Sequence, residues 1–209
     1  MRTKKYRRAV TCFEIVTNMQ EITKHYYHSY NNLGICYQNL GKYEKAIEYF
    51  KKRVSDPTNY KELEICYVNI LSCARDMKYE TLMINTLKKL ETVLTHLQGE
   101  TFYQTYWNIG LVYLCLGEKT KAAEAFEKEI SFKISLPNTS FSFEKHLESI
   151  KHLVVLYGKR PLKQEKLIKH IKQIELKYLS SEFIIYILKY YLNNNMEYEA
   201  FLLIKNIDL

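Results

Sequence analysis

A repeated motif of about 38 residues is the feature that most restricts how this chain can fold. Residues 30–50, YNNLGICYQNLGKYEKAIEYF, align without gaps with residues 106–126, YWNIGLVYLCLGEKTKAAEAF, at an offset of 76. Because this offset is twice 38, a further copy is expected between the two. That copy starts at Tyr67, where YVNILSCARDMKYETLMINTL matches at an offset of 37. A period of this length is typical of stacked helical repeats.

Other segments match the motif less well. In the middle copy we expect the turn to be one residue shorter, because it lacks the glycine found at Gly41 and Gly117. A fourth copy starts at Leu147 and aligns Gly158 with Gly117, a fifth is more diverged, and YRRAVTCFEIV looks like a second helix whose first helix is missing. We place the repeats at residues 26–58, 63–99, 103–136, 144–178 and 181–209, after the second helix of an incomplete repeat at 5–20.

Each copy has the pattern of two amphipathic helices joined by a short turn. The chain contains six glycines and three prolines, which favours long helices with short loops over a fold of many strands. Small residues allow the two helices of a copy to approach closely, and they recur at Gly34, Ala46, Gly110 and Ala122. One helix pair cannot bury its own apolar faces, so neighbouring copies must stack to form the core. We therefore predict an all-α fold.

The recurring residues resemble the tetratricopeptide repeat. The pattern that carries the resemblance is Tyr30, Leu33, Gly34, Tyr37, Ala46 and Phe50, repeated as Tyr106, Ile109, Gly110, Tyr113, Ala122 and Phe126. The resemblance implies a right-handed superhelical array of about five helix-turn-helix repeats, in a single domain over residues 1–209. In such a repeat the tyrosines and phenylalanines of the pattern are packing residues.

Three asparagines occupy the same position in successive copies. Asn32, Asn69 and Asn108 each follow the tyrosine of the repeat by two residues and precede an apolar residue, and Ser149 takes this position in the fourth copy. Asparagine is a poor helix former, so its recurrence inside a helix calls for another reason. The resemblance implies that this position faces the groove lined by the first helices. An amide donates and accepts hydrogen bonds, so a series of amides could hold a peptide backbone. The alternative is that asparagine is present only because the face is hydrated.

Neighbouring positions complete the predicted peptide-binding site. Arg75 is either a partner for a ligand carboxylate or a partner for the adjacent Asp76. Trp107, the single tryptophan, either lines the core or forms a pocket for a ligand side chain. The predicted site residues are Asn32, Asn69, Asn108, Asn31, His28, Gln38, Arg75, Gln104 and Trp107.

Asparagines on first helices that hold a linear peptide are similar to those of the quorum-sensing receptors of Gram-positive bacteria, of the Rap, NprR, PlcR and Rgg type, and of phage arbitrium receptors. This resemblance implies the signal-peptide-sensing domain of a bacterial or phage regulator. Such receptors carry an N-terminal effector domain, and there is no room for one before Tyr6. The chain is then expected to be the C-terminal piece of a longer receptor or a naturally short form, and DNA contact is expected only through the missing domain or weakly.

Other readings of the site stay open at this point. A tetratricopeptide scaffold could bind the tail of a protein partner without any signalling peptide. A site that binds a C-terminal carboxylate would need several basic side chains in the groove. The chain has two candidates, Arg75 and Lys145, so this alternative ranks lower. A nucleic-acid-associated regulator could use the basic N-terminus, given the net charge of +8 and the five basic residues among positions 2–9. A homodimer is a further hypothesis, since an open repeat edge exposes apolar surface.

Several classes of protein are disfavoured by what the sequence lacks. There is no HExxH, zinc-finger spacing, glycine-rich phosphate loop or GxSxG, so we predict no catalytic residues, metal or cofactor. No apolar run is long enough for a membrane span. The five cysteines are odd in number and form no CxxC, so they are interpreted as buried thiols of a cytoplasmic protein.

Overall fold

The chain is helical throughout the part that the structure describes, which confirms the predicted all-α fold. A computed structural model describes residues 2–18, 24–54, 60–97, 102–134, 144–158, 163, 165–168 and 181–206. The long helices of these segments are α1 (Arg2–Asn18), α2 (Lys24–Asn39), α3 (Tyr43–Arg53), α4 (Tyr60–Asp76), α5 (Glu80–Thr95), α6 (Phe102–Cys115), α7 (Lys119–Ile134), α8 (Glu144–Tyr157), α9 (Ser181–Asn193) and α10 (Glu197–Asn206). Residues 165–168 are helical as well.

The helices form two compact units, Met1–Gly99 with α1 to α5 and Glu100–Leu209 with α6 to α10. In the first unit α2 packs against α1 and α3, while α4 packs against α3 and α5. In the second unit α7 packs against both α6 and α8, and α9 packs against α10. Within the first unit and along α6 to α8, helices that follow one another in sequence therefore pack side by side, as expected of stacked helix-turn-helix repeats.

The turn inside each repeat depends on one residue with a left-handed backbone. Gly41 and Gly117 have φ of 71° and 75°, and the next residue donates its N–H to a carbonyl five positions earlier, as in Lys42 to Tyr37 (2.9 Å). Lys78 adopts φ 54° at the corresponding position of the middle copy, with Tyr79 bonded to Ala74 (2.8 Å). The expectation of a shorter turn there was wrong, because a lysine tolerates the left-handed conformation at a modest energetic cost.

Asn195 forms the same turn between α9 and α10. Its φ is 52°, and the N–H of Met196 donates to the carbonyl of Tyr191 at 2.9 Å. Asparagine adopts this conformation more readily than most residues other than glycine. The most diverged copy of the motif therefore retains the turn of the better copies.

The small residues of the motif have the packing role that the sequence indicates. A Cβ atom on Gly110 would lie 2.6 Å from Cε1 of Phe126, and a Cβ on Gly34 would collide in the same way with the ring of Phe50. Both rings are completely buried. In these two repeats the first helix thus lets a phenylalanine of the second helix rest directly on its backbone, which confirms the packing role predicted for Phe50 and Phe126.

A buried ion pair joins the end of α3 to the start of α4. The guanidinium of Arg53, whose side chain is 5% exposed, contacts the carboxylate of Glu62. The cation lies at the C-terminus of α3 and the acid in the first turn of α4, so each charge also complements the dipole of its own helix. This pair helps to set the position of α4 relative to α3.

The cysteines divide into two groups. All five are free thiols, and Cys36, Cys66 and Cys73 are buried as expected. Burial raises the pKa of Cys66 to about 11 and that of Cys73 to about 12. The interpretation was wrong for Cys12 and Cys115, which are exposed, because no described helix covers the faces on which they lie.

No helix within the described segments is both long enough and apolar enough to span a membrane. Parts of the predicted fourth and fifth repeats, residues 159–162, 164, 169–180 and 207–209, lie outside the described residues.

Candidate functional site

One face of the first unit combines polar and apolar side chains on α2 and α4, and no described helix of the unit covers it. On each helix these side chains recur every three or four residues, opposite the buried Leu33 and Ile70, and all are half-buried or exposed. We call this surface the α2/α4 face, formed by His28, Asn32, Ile35, Asn39, Ile65, Asn69, Ser72 and Asp76.

Side-chain contacts hold α2 and α4 side by side along this face. They connect residues 34 or 35 positions apart, so the two helices run parallel with a constant register. The contacts are His28 Nδ1 to Glu62 Oε1 (3.8 Å), Cys66 Sγ donating to Asn31 Oδ1 (3.7 Å) and Gln38 Nε2 donating to Ser72 Oγ (3.2 Å). Three of the predicted site residues, His28, Asn31 and Gln38, therefore contact the neighbouring helix.

The amides of Asn32 and Asn69 differ from these residues. Both side chains are half-buried, and neither forms a hydrogen bond with any residue that the structure describes. They occupy equivalent positions on two adjacent parallel helices, and the exposed Ile65 and half-buried Ile35 lie one turn before or after them. The unit thus presents two amides with unused donors and acceptors beside apolar side chains.

Arg75 is paired within its own helix. Its Nη2 and Nε atoms lie 3.0 and 3.2 Å from Oδ1 of Asp76, and Nη2 is 3.5 Å from Oγ of Ser72. Of the two alternatives for Arg75, the structure therefore has the pairing with Asp76. Arg53 in the same unit is likewise paired with an acid, Glu62. A carboxylate ligand would have to compete with these acids.

In the second unit Asn108 lies on α6 at the position of Asn32 and Asn69. Its Nδ2 atom donates to the carbonyl of Gln104 at 2.8 Å, one turn earlier in the same helix. This bond directs the amide along the helix, while Oδ1 still has acceptor capacity. Gln104 is exposed and Asn108 is half-buried.

Trp107 packs against the core of the second unit. Its ring centroid lies 5.4 Å from that of Phe126 and 5.6 Å from that of His152, and His152 stacks on Phe126 at 4.9 Å. Burial among these rings lowers the pKa of His152. The half-buried tryptophan thus packs against the core with part of its ring still accessible.

Ser149, at the same repeat position on α8, differs from the asparagines. Its side chain is completely buried, and its hydroxyl has no hydrogen-bond partner among the described residues. The polar position of the repeat is therefore accessible on α2, α4 and α6 but not on α8.

Glu62 is a structural residue of the site that the sequence prediction omitted. It contacts both Arg53 and His28 and so connects α2, α3 and α4. Its place as an acid in the first turn of α4 is visible in the sequence, but its partners are 9 and 34 residues away and no local pattern identifies them.

No group of three or more histidine, cysteine, aspartate or glutamate side chains that could hold a metal ion occurs among the residues described. The chemistry of the α2/α4 face is that of hydrogen bonding and apolar contact.

Comparison with known proteins identifies the repeat. Family models described as Tetratricopeptide repeat match residues 28–52 and 103–132. These segments contain α2 with α3 and α6 with α7, so the chain carries tetratricopeptide repeats in both units. Comparison with curated proteins gives no significant match.

Solved structures show the same fold. A crystal structure of MamA is 24% identical with a TM-score of 0.59, over 82% of this chain and 88% of that one. MamA of Desulfovibrio magneticus RS-1, residues 41 to the end, is 17% identical with a TM-score of 0.53, over 84% and 94% of the two chains. A kinesin light chain structure with nearly identical TPR-like repeats from Podospora anserina is 16% identical with a TM-score of 0.59, over 86% and 92%. At these identities the likeness establishes the tetratricopeptide-like fold alone. Repeat arrays of this class act as protein-interaction modules.

Proposed function

We propose that the α2/α4 face binds an extended segment of a peptide or of a partner protein, and that Asn32 and Asn69 hydrogen-bond its backbone. The observation that carries this proposal is the pair of half-buried amides that have no hydrogen-bond partner among the described residues. The neighbouring Asn31 and Gln38 already contact α4 and are less available.

The chemistry of the face suits a peptide backbone better than a charged group. Each amide can donate to a carbonyl and accept from an N–H at the same time, which matches one peptide unit. Ile35 and Ile65 beside the amides would contact apolar side chains of the bound segment. The Arg75 and Asp76 pair contributes no net charge, so an acidic terminus is not the group that this face selects.

We further propose that the bound segment is a short linear signalling peptide and that the chain is the sensing part of a bacterial or phage regulator. This finer proposal is supported by the resemblance of Asn32, Asn69 and Asn108 to the groove asparagines of peptide receptors. Asn108 already donates to the carbonyl of Gln104, so it is expected to contribute less than Asn32 and Asn69. Binding can shift the receptor between states only by the difference in affinity for those states.

The test is selection of ligands from a displayed library of short peptides on the full chain, followed by titration of synthetic peptides by calorimetry. Peptides that use the amides should bind the Asn32→Ala/Asn69→Ala variant ~10- to 100-fold more weakly. This range corresponds to the loss of two hydrogen bonds of about 1 kcal/mol each, or somewhat more where the site is desolvated.

Asn39→Ala is the matched control. Asn39 lies on the same face of α2, but its amide donates to the carbonyl of Ile35 at 2.8 Å, so it has less capacity for a ligand. Its replacement should change affinity by less than about threefold. Equal affinity of the selected peptides for wild type and the double variant, or the absence of any enriched peptide, would contradict the proposal.

A further inference from the structure

The outer face of α1 differs from the outer faces of α3 and α7. α1 packs onto the core of the first unit through residues that correspond, at an offset of 37, to core residues of α3. The corresponding sets are Tyr6, Ala9 and Phe13 in α1 and Tyr43, Ala46 and Phe50 in α3. This correspondence matches each exposed position of α1 with a position of α3.

The N-terminal half of this face is uniformly basic. Its four cations are exposed, and none forms an ion pair within the part of the chain that the structure describes. They are Lys4, Lys5, Arg7 and Arg8. The single acid of α1, Glu14, accepts a hydrogen bond from the hydroxyl of Tyr37 at 2.7 Å and is therefore already occupied.

These cations disfavour the helix that contains them. Lys4 lies one turn from both Arg7 and Arg8, and like charges at this spacing repel each other. Cations near a helix N-terminus also oppose the helix dipole. Residues that destabilise their own helix are expected at sites where a binding partner supplies a compensating interaction.

The C-terminal half of the face carries an exposed apolar residue at a position that is charged in α3 and α7. Ile15 is 56% exposed, while the corresponding residue of α3 is Lys52, which pairs with Glu48 at 2.8 Å. The same two positions of α7 hold a glutamate and a lysine again, Glu124 and Lys128. In α1 the position of the glutamate is taken by Thr11.

We propose that Lys4, Arg7, Arg8, Thr11 and Ile15, the basic-apolar face of α1, dock an acidic protein segment that carries an apolar side chain next to its carboxylates. Residues 4, 8, 11 and 15 follow one another at helical spacing and form one stripe. Ile15 lies about 10 Å beyond Arg8 along the helix axis. A phosphate backbone would use the cations but leave Ile15 in water, so the combination favours a protein segment over nucleic acid. This surface is separate from the asparagines of the α2/α4 face.

Fluorescence anisotropy on the full chain tests the proposal with three labelled probes. Two are peptides of equal length and charge, one alternating glutamate with leucine and the other glutamate with serine, and the third is a short DNA duplex. The glutamate-leucine peptide should bind about tenfold more tightly than the glutamate-serine peptide, as expected for one buried aliphatic contact. Ile15→Lys should remove this preference, and Arg7→Glu should weaken binding of both peptides.

The matched control is the triple variant Arg7→Glu/Thr11→Glu/Ile15→Lys, which gives α1 the charge pattern of α3. Its melting temperature should equal or exceed that of wild type, so its loss of peptide binding cannot be attributed to unfolding. Asn32→Ala/Asn69→Ala should bind the probes as wild type does, which separates this proposal from the proposed function. Equal binding of the two peptides, DNA binding as tight as that of the glutamate-leucine peptide, or no binding of either peptide would overturn it.

Discussion

Replacement of Gly110 by alanine tests the packing that defines the repeat. An added Cβ would lie 2.6, 2.8 and 2.9 Å from atoms Cε1, Cζ and Cδ1 of the Phe126 ring, closer than real Cβ atoms approach other atoms. The ring is completely buried and is flanked by Trp107 and His152, with centroids 5.4 and 4.9 Å away. The ring therefore has little space into which it could move.

Two opposing effects set the size of the change. Alanine is a better helix residue than glycine, which favours the variant by about 1 kcal/mol. Overpacking of a rigid core costs roughly 1–3 kcal/mol, and the occupied surroundings of Phe126 place this case at the upper end. We expect Gly110→Ala to lower the free energy of unfolding by about 2 kcal/mol.

Urea denaturation followed by fluorescence reports directly on this site, because Trp107 is the single tryptophan and contacts Phe126. Phe126→Leu alone should lower the free energy of unfolding by roughly 1–2 kcal/mol. The double variant Gly110→Ala/Phe126→Leu should be no less stable than Phe126→Leu, because the new methyl group occupies the space that the ring leaves. Gly34→Ala should behave in the same way in the first unit, against Phe50. If Gly110→Ala is as stable as wild type, the contact with the Phe126 ring does not require glycine at this position of the repeat.

Two further predictions concern ionisable groups. Burial opposes ionisation of Glu127, but hydrogen bonds from Lys166 and Tyr157 outweigh it and hold the pKa of its carboxyl below the usual range. A carboxyl with a lowered pKa stabilises the fold above its unfolded pKa of about 4.3 and loses this contribution as the pH falls through its folded value. Glu127→Gln should therefore melt below wild type at neutral pH, and the gap should close in acid; a gap independent of pH would refute this reading. Thiol titration with a disulfide reagent in the folded protein should label two of the five cysteines, and the other three should react only after denaturation. The two reactive residues are Cys12 and Cys115.

Much of the fold could be read from the repeat. Phe50 and Phe126 were expected to pack in the core and are completely buried. Gly34 and Gly110 were expected to allow close approach, and each lies directly beneath one of these rings. Such residues are predictable because the helical period and the need for a small residue opposite a large one are properties of a single helix pair.

The candidate site was less accessible to sequence reasoning. The asparagine positions follow from the period, but their surroundings do not. Only the structure shows that Asn31 contacts α4, whereas the amides of Asn32 and Asn69 have no hydrogen-bond partner among the described residues. Only the structure shows, too, that Ser149 is buried at the position where asparagine is accessible. The turn at Lys78 is a similar case, because lysine gives no local indication of a left-handed backbone.

The sequence by itself determined the all-helical class, the repeat length and the identity of the packing residues. The tertiary structure decided which polar side chains are occupied by other parts of the protein and which remain available. The physical reason is that apolar periodicity is encoded within one helix, whereas a hydrogen bond such as that from Gln38 to Ser72 depends on the register between two helices that are separated in sequence.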